Sequence, residues 1–190
     1  MKVLDTFINA TSEFGFKHQS DFNTGDNEGI GYFQVTQRNG FRCSAAVGYL
    51  NPIKNRKNLK IITKAHIKNI EFIDKKAVSV NYWLGNELKS AQTNIEIILS
   101  AGSIGSPHIL QASGIGPSDL LKENDVNVIH ENKSVGKNLQ DHLMLRPVYK
   151  IKNLETLNEV YHNLSKKMMT GINYFLFRKG ALTMGASHLC

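Results

Sequence analysis

Residues 95–116 read Ile95-Glu96-Ile97-Ile98-Leu99-Ser100-Ala101-Gly102-Ser103-Ile104-Gly105-Ser106-Pro107-His108-Ile109-Leu110-Gln111-Ala112-Ser113-Gly114-Ile115-Gly116. Four of the first five side chains are apolar, and the run is too short for a domain-spanning helix. That pattern predicts a strand buried on both faces of a parallel or mixed sheet. Ser100, Ala101 and Gly102 then remove side-chain bulk where the strand ends. Open α/β sheets bind ligands outside the carboxyl ends of their strands, so a bulkless corner there admits a nucleotide or phosphate close to the backbone. Ser106 is placed to cap a helix and Pro107 to begin it, because a serine hydroxyl satisfies free amides and proline has none to satisfy. Gly114 is placed to end that helix in the left-handed conformation.

The flanking sequence extends the same architecture. Leu4, Phe7, Ile8 and Phe14 recur at near-helical spacing and Gly15 follows as a stop, whereas residues 17–30 are rich in turn formers. A short strand is expected at 31–36 with Arg38-Asn39-Gly40 as the turn after it, then a short helix capped by Ser44 and ended at Asn51-Pro52. Strands are expected at 59–62, 66–73, 77–84 and 87–92, the last three joined by polar turns at Asp74-Lys75-Lys76 and Gly85-Asn86 into a meander. In the third of these, Val78, Val80, Tyr82 and Leu84 alternate with Ser79, Asn81 and Trp83, the period of a sheet with one wetter face. A short helix over 117–124 and a strand over 126–129 complete a crossover. Beyond it lie a strand over 143–151 and a long helical pattern from Leu157 to Leu176 that Gly171 interrupts and Gly180 stops.

Composition bounds the function. The chain has 190 residues, 41% hydrophobic and 21% charged, which fits one ordinary globular domain or slightly more. No apolar run approaches the ~20 residues a bilayer span needs, so no transmembrane segment is expected. Asp5 interrupts the stretch where a secretory signal would need apolar residues, and Cys43 and Cys190 form no metal or disulfide pattern. A cytoplasmic location is the expectation. The net charge of +7 raises a nucleic-acid reading. Lys54, Arg56, Lys57 and Lys60 nevertheless lie among Asn and Pro with no interleaved aromatics to stack on bases, so a solvated loop is expected and no nucleic-acid partner.

The small-residue order Gly-Ser-x-x-Ser-Pro-x-Ile-Leu-x-x-Ser-Gly-Ile-Gly over 102–116 resembles the second signature of the glucose/methanol/choline (GMC) family of flavin-dependent oxidoreductases. The same residues would equally build a plain strand-to-helix corner, and the two readings are compatible. Asp21-Phe22-Asn23, Glu28-Gly29-Ile30-Gly31-Tyr32, Gln34 to Gly40 and Arg42 to Ala46 look like the choline-dehydrogenase branch. Val135-Gly136-Lys137-Asn138-Leu139-Gln140-Asp141-His142 resembles the segment by which such chains leave the cofactor domain, and Tyr174 to Thr183 is also similar. Cys43 is then a framework residue. Asp141 and His142 are adjacent as an acid–base pair would be, but consecutive residues on extended backbone point in opposite directions, so bracing the junction is the expectation over catalysis.

The resemblance implies an α/β fold with α+β features, a partial FAD-binding Rossmann-like sheet with a β-meander plus the start of a substrate domain. It implies a substrate-side helix, loop and strand over 1–58, a portion of the FAD-binding domain over 59–141, and the start of the substrate-binding domain over 142–190. FAD is the implied cofactor, contacted through Ser100, Ala101 and Gly102 and through the backbone of Ile67. An alcohol is the implied substrate, oxidised to an aldehyde by hydride transfer. The chain carries no strand-linked Gly-x-Gly-x-x-Gly turn, and His188 precedes the place of the family's catalytic histidine, so no catalytic residue is assigned. The expectation is the middle of such an enzyme, needing flanking polypeptide and inactive alone. The alternative is a non-enzymatic module that binds an adenine nucleotide or FAD.

Overall fold

The computed structural model describes residues 2–145, 148–153, 155–185 and 189. His188 and Cys190, singled out in the sequence, lie outside the described residues. The chain divides into two compact units, one of Met1–Leu59 with Arg146–Cys190 and one of Lys60–Leu145. Both mix helices with small sheets, an α/β architecture in which the meander is antiparallel.

In the central unit, β3 (Ala65–Ile73), β4 (Lys76–Leu84) and β5 (Glu87–Gln92) form the three-stranded meander. The two-residue loop Asp74-Lys75 has both φ angles positive, at 49° and 63°, as a type I′ hairpin demands, while Lys76 joins the strand. Gly85 opens the second loop at φ 61°. Strict alternation does not hold along β4. Ser79 and Tyr82, three apart, are its buried residues, and the pairing with β3 shifts register twice, past an extra residue Lys68 on β3 and an extra residue Val78 on β4. Ser79 sits on the side that alternation makes wet, and it is buried at no polar cost because its hydroxyl donates to Glu71 Oε2 at 2.6 Å.

After the meander, α2 (Gly102–Ala112) packs on β3. A parallel pair, β6 (Ile115–Gly116) and β7 (His130–Glu131), is bridged by α3 (Ser118–Glu123). This is a miniature strand–helix–strand unit. Its second strand begins at His130, later than the expected 126–129, because the first strand offers only two residues to pair with. Leu121 is the hub, at 2% exposure. Gly114, at φ 85°, ends α2 as expected, and a Cβ there would sit 2.4 Å from the Asn127 carbonyl.

Two expected strands are absent from the central unit. Residues 59–62 and 95–99 carry no strand, and Ile95 and Ile98 are 86% and 78% exposed. A strand takes its hydrogen bonds from neighbours, and among the described residues none runs beside 95–99.

In the other unit, α1 (Lys2–Glu13) is the expected amphipathic helix, with Ile8 buried and Gly15 left-handed beyond it. The strand expected over 31–36 is replaced by a hairpin slightly later, β1 (Gln37–Arg38) and β2 (Phe41–Arg42), turning at Asn39-Gly40. The Ser44 hydroxyl accepts from the Val47 amide at 3.3 Å, and the helix it starts takes a π-helical form over Ala46–Leu50. No strand forms in the described part of 143–151. The long helical pattern resolves into α4 (Leu157–His162) and α5 (Leu164–Phe177). The break falls at Asn163 and not at Gly171. Asn163 has φ −105° and ψ 113°, and its side chain accepts from the Lys166 amide, so it ends one helix and caps the next. Arg178, in the left-handed conformation, closes α5 and spreads its guanidinium over Phe41, at 4.6 Å from the ring centre, and Tyr174, at 5.2 Å. The Tyr174 hydroxyl donates to the Gly40 carbonyl at 3.1 Å, fastening the hairpin to the helix end.

Truncating the hub should show its weight. Leu121→Ala is expected to lower the unfolding free energy of the central unit by about 2–5 kcal/mol in a urea titration followed by Trp83 fluorescence.

Candidate functional site

The site is the corner where residues 100–102 lead into α2. Ser100, Ala101 and Gly102 are all exposed. Gly102 has φ 84°, and no atom lies within 4 Å of where its Cβ would stand. A bulkless backbone therefore faces open space. Ser106 does not cap α2 at its own position. The helix begins four residues earlier, with Pro107 inside it, and the Ser106 hydroxyl reaches back to accept from the Ala101 amide at 3.0 Å. Pro107 is the sixth residue of α2, beyond the turn whose amides are free, and it has no amide to offer the Ser103 carbonyl four residues back.

Ile67 lies on β3, half-buried and paired with Tyr82. β3 is an edge strand of the meander, so its far side is open to a ligand or to the helix. The Ser113 hydroxyl occupies part of that side. It accepts from the Ile70 amide at 2.7 Å and donates to the Ile109 carbonyl at 2.5 Å. Ser113 is 6% exposed and thus joins the strand carrying Ile67 to the helix carrying the corner. The sequence reading gave Ser113 no role, although it is a fixed position of the signature.

A second missed residue is Gln111. Its side-chain amide donates to the Val135 carbonyl at 3.2 Å, and a Cβ on Gly136, at φ 80°, would approach Gln111 Nε2 to 2.6 Å. The pair holds segment 132–138 against α2, and Asn132 shapes the turn by accepting from the Ser134 amide at 3.0 Å. Between α2 and residues 136–140 lies a groove of about 610 Å³ lined by Ser103, Ile104, His108, Lys137 and Leu139 among others. Asp141 accepts from the His142 amide at 2.8 Å, a backbone contact rather than an acid–base dyad. Cys43 is half-buried and in no disulfide.

None of the resolved titration shifts falls at this corner. A hydrogen bond from Tyr32 to Asp5 raises the phenol above its ordinary range, and the Glu155 carboxylate raises Lys166. The Asn23 amide lowers Asp21. Among the described residues no cluster of His, Cys, Asp or Glu could hold a metal, and no helix is long and apolar enough to cross a membrane.

The profile of the GMC oxidoreductase family matches residues 2–144. The chain belongs to the GMC oxidoreductase family. Among its GMC relatives, an alcohol dehydrogenase (acceptor) of Pseudomonas putida is 36% identical, over 94% of this chain and 33% of its own length. An oxygen-dependent choline dehydrogenase of Vibrio vulnificus is 39% identical over 92% of this chain and 31% of its own. A solved FAD-dependent oxidoreductase from Chaetomium thermophilum superposes with a TM-score of 0.82 at 27% identity, covering 97% of this chain and 33% of that one. The chain thus spans about a third of the length of the relatives it matches.

Two measurements check this geometry. Gln111→Ala should release segment 134–138, read as at least ~10-fold faster amide exchange there, a loss of about 1.4 kcal/mol of local stability. The Tyr32 shift has a definite sign. Its folded pKa is raised, so the stability it lends is complete below the ordinary tyrosine range and fades as pH rises through the raised value. A spectrophotometric titration should show a late phenolate component that Tyr32→Phe removes.

Proposed function

We propose that residues 1–190 are the middle portion of an FAD-dependent alcohol dehydrogenase of the choline-dehydrogenase type, contributing the adenosine side of the flavin site. The observation that carries this is the open corner at Gly102, held by Ser113 to the strand that bears Ile67. A site for an adenosine needs backbone accessible at close range, and the exposed Ser100, Ala101 and Gly102 fit that need. Ile67 would contribute backbone groups from the edge of the meander. In this reading 59–141 serve the cofactor, while 1–58 and 142–190 serve the substrate side.

When bound, FAD supplies the hydride acceptor for oxidation of an alcohol carbon. Ser100, Ala101, Gly102 and the backbone of Ile67 would position the cofactor's adenosine end. No proton-accepting side chain is assigned among the described residues; the Asp141 carboxylate accepts from the His142 backbone amide and forms no dyad with its ring. No glycine-rich cradle for a pyrophosphate stands in the sequence. Residues 1–190 alone are therefore expected to bind FAD weakly and to turn over no alcohol, and the complete activity draws on polypeptide beyond them. The substrate is an alcohol, as the names of the Pseudomonas and Vibrio relatives suggest. A second reading, a non-enzymatic adenine-nucleotide module, draws support from the corner being formed while no base is.

Calorimetric titration with ADP tests the corner and absorption spectroscopy tests the activity. ADP should bind, and Ala101→Leu, which builds a larger side chain at the corner, should weaken it about tenfold, or 1.4 kcal/mol. Purified 1–190 should show no tight stoichiometric flavin spectrum and no bleaching by choline or other alcohols. Tight flavin with alcohol-dependent bleaching overturns the claim of inactivity. ADP binding unaffected by Ala101→Leu overturns the assignment of the corner.

A further inference from the structure

We infer that Ser113 is a positioning residue for the adenosine end of the cofactor, acting through Ile70 to fix the register in which the backbone of Ile67 meets the base. This rests on the reading of the corner as the adenosine site. It adds to that reading the means by which one purine is told from another.

The ladder on the far side of β4 fixes which residues face the free edge of β3. The Thr93 amide donates to the Val78 carbonyl at 2.9 Å, so Val78 turns its backbone groups toward β5. Residues two apart on a regular antiparallel strand turn them to the same side, and β4 pairs with β5 without a break from Ser79 to Leu84. Val80 and Tyr82 therefore face β5 as well. Their partners on β3, Ile70 and Ile67, form the pairs that share no ladder bonds with β4, and both turn their backbone groups to the open edge. The Ile70 amide agrees, since it is the one the Ser113 hydroxyl accepts.

Ile67 and Ile70 are three residues apart, whereas positions on one edge of an unbroken strand recur every second residue. The extra residue Lys68 makes up the difference. The edge thus carries two neighbouring stations, one closed by Ser113 and one at Ile67 left for the base. Ser113 closes its station in a fixed direction. Its proton goes to the Ile109 carbonyl, so it offers Ile70 only a lone pair, and at 6% exposure little water can take its place. The same bond sets how the end of α2 stands against β3 next to the open station.

The backbone of a single edge residue presents a donor beside an acceptor. Adenine matches that order with a ring nitrogen beside an amino group. Hypoxanthine places a protonated nitrogen and an oxygen there and reverses both contacts. A site built on such pairs rejects the analogue that leaves them unmade, provided the strand is held in register.

The test titrates ADP and inosine diphosphate into residues 1–190 and into Ser113→Ala by calorimetry, with exchange of the Ile70 amide followed by NMR. The unsubstituted chain should prefer ADP by at least ~10-fold, and Ser113→Ala should narrow the preference below ~3-fold with its Trp83 fluorescence still that of a folded meander. A fold that is merely loosened weakens both nucleotides in proportion and leaves the ratio where it was. Should Ser113→Ala not fold, the unsubstituted chain decides: ADP should slow Ile70 exchange at least ~10-fold and inosine diphosphate should not, because a bond that supports binding is supported by it in return. An unchanged ratio in folded Ser113→Ala, equal affinity for the two nucleotides in the unsubstituted chain, or Ile70 exchange indifferent to ADP would each overturn the proposal. Any of these alongside ADP binding that Ala101→Leu weakens leaves the corner reading standing. No ADP binding at all by the unsubstituted chain overturns both.

Discussion

The hydroxyl of Ser113 is the constraint on which the central unit depends. An edge strand presents amides that must be paired or left to water, and a helix end presents carbonyls with the same requirement. Ser113 answers both at once, accepting from Ile70 and donating to Ile109 from a position shielded from solvent. The bond fixes the helix against the open side of the meander and thereby fixes where its first residues emerge. Without it, the corner at Gly102 would be a turn of small residues with no defined relation to β3. A neighbouring glycine sharpens the restraint, since Gly114 lets the Asn127 backbone approach to a distance that any side chain would block. The signature stretch thus divides its labour. Ser113 and Gly114 serve packing, and Ala101 and Gly102 are left bare.

Much of this was legible in the residues themselves. The meander came from short polar turns between β-formers, and the dihedral angles at Asp74, Lys75 and Gly85 show why those residues turn the chain, with Lys76 joining the strand. The amphipathic first helix and the left-handed Gly114 followed from periodicity and from the freedom of glycine. The open character of residues 100–102 was legible as well, because lack of bulk is a property of the residues and needs no knowledge of what surrounds them.

The readings that failed share a cause: each depended on a neighbour. The apolar run of 95–99 has strand character in its side chains, but a strand is a relation between two segments, and none lies beside it here. Ser79 was assigned to the wet face by counting in twos, yet it is buried, with its hydroxyl on the Glu71 carboxylate of the neighbouring strand. Ser106 was assigned to the first position of α2, yet its hydroxyl serves an amide five residues upstream and the helix starts before it. The roles of Ser113 and Gln111 depend on partners 43 and 24 residues away, a separation that no local pattern reports.

The joint at Asn163 has an electrical meaning. The carbonyl end of α4 and the amide end of α5 meet at one residue, so the partial negative pole of one helix lies against the partial positive pole of the next and the two offset each other. The uncompensated poles stand at the outer extremities. Glu159 and the Thr156 hydroxyl receive the amides at one extremity, and Arg178 stands at the carbonyls of the other. Two short helices in series are thereby terminated as a single longer one would be, with a bend set by one asparagine.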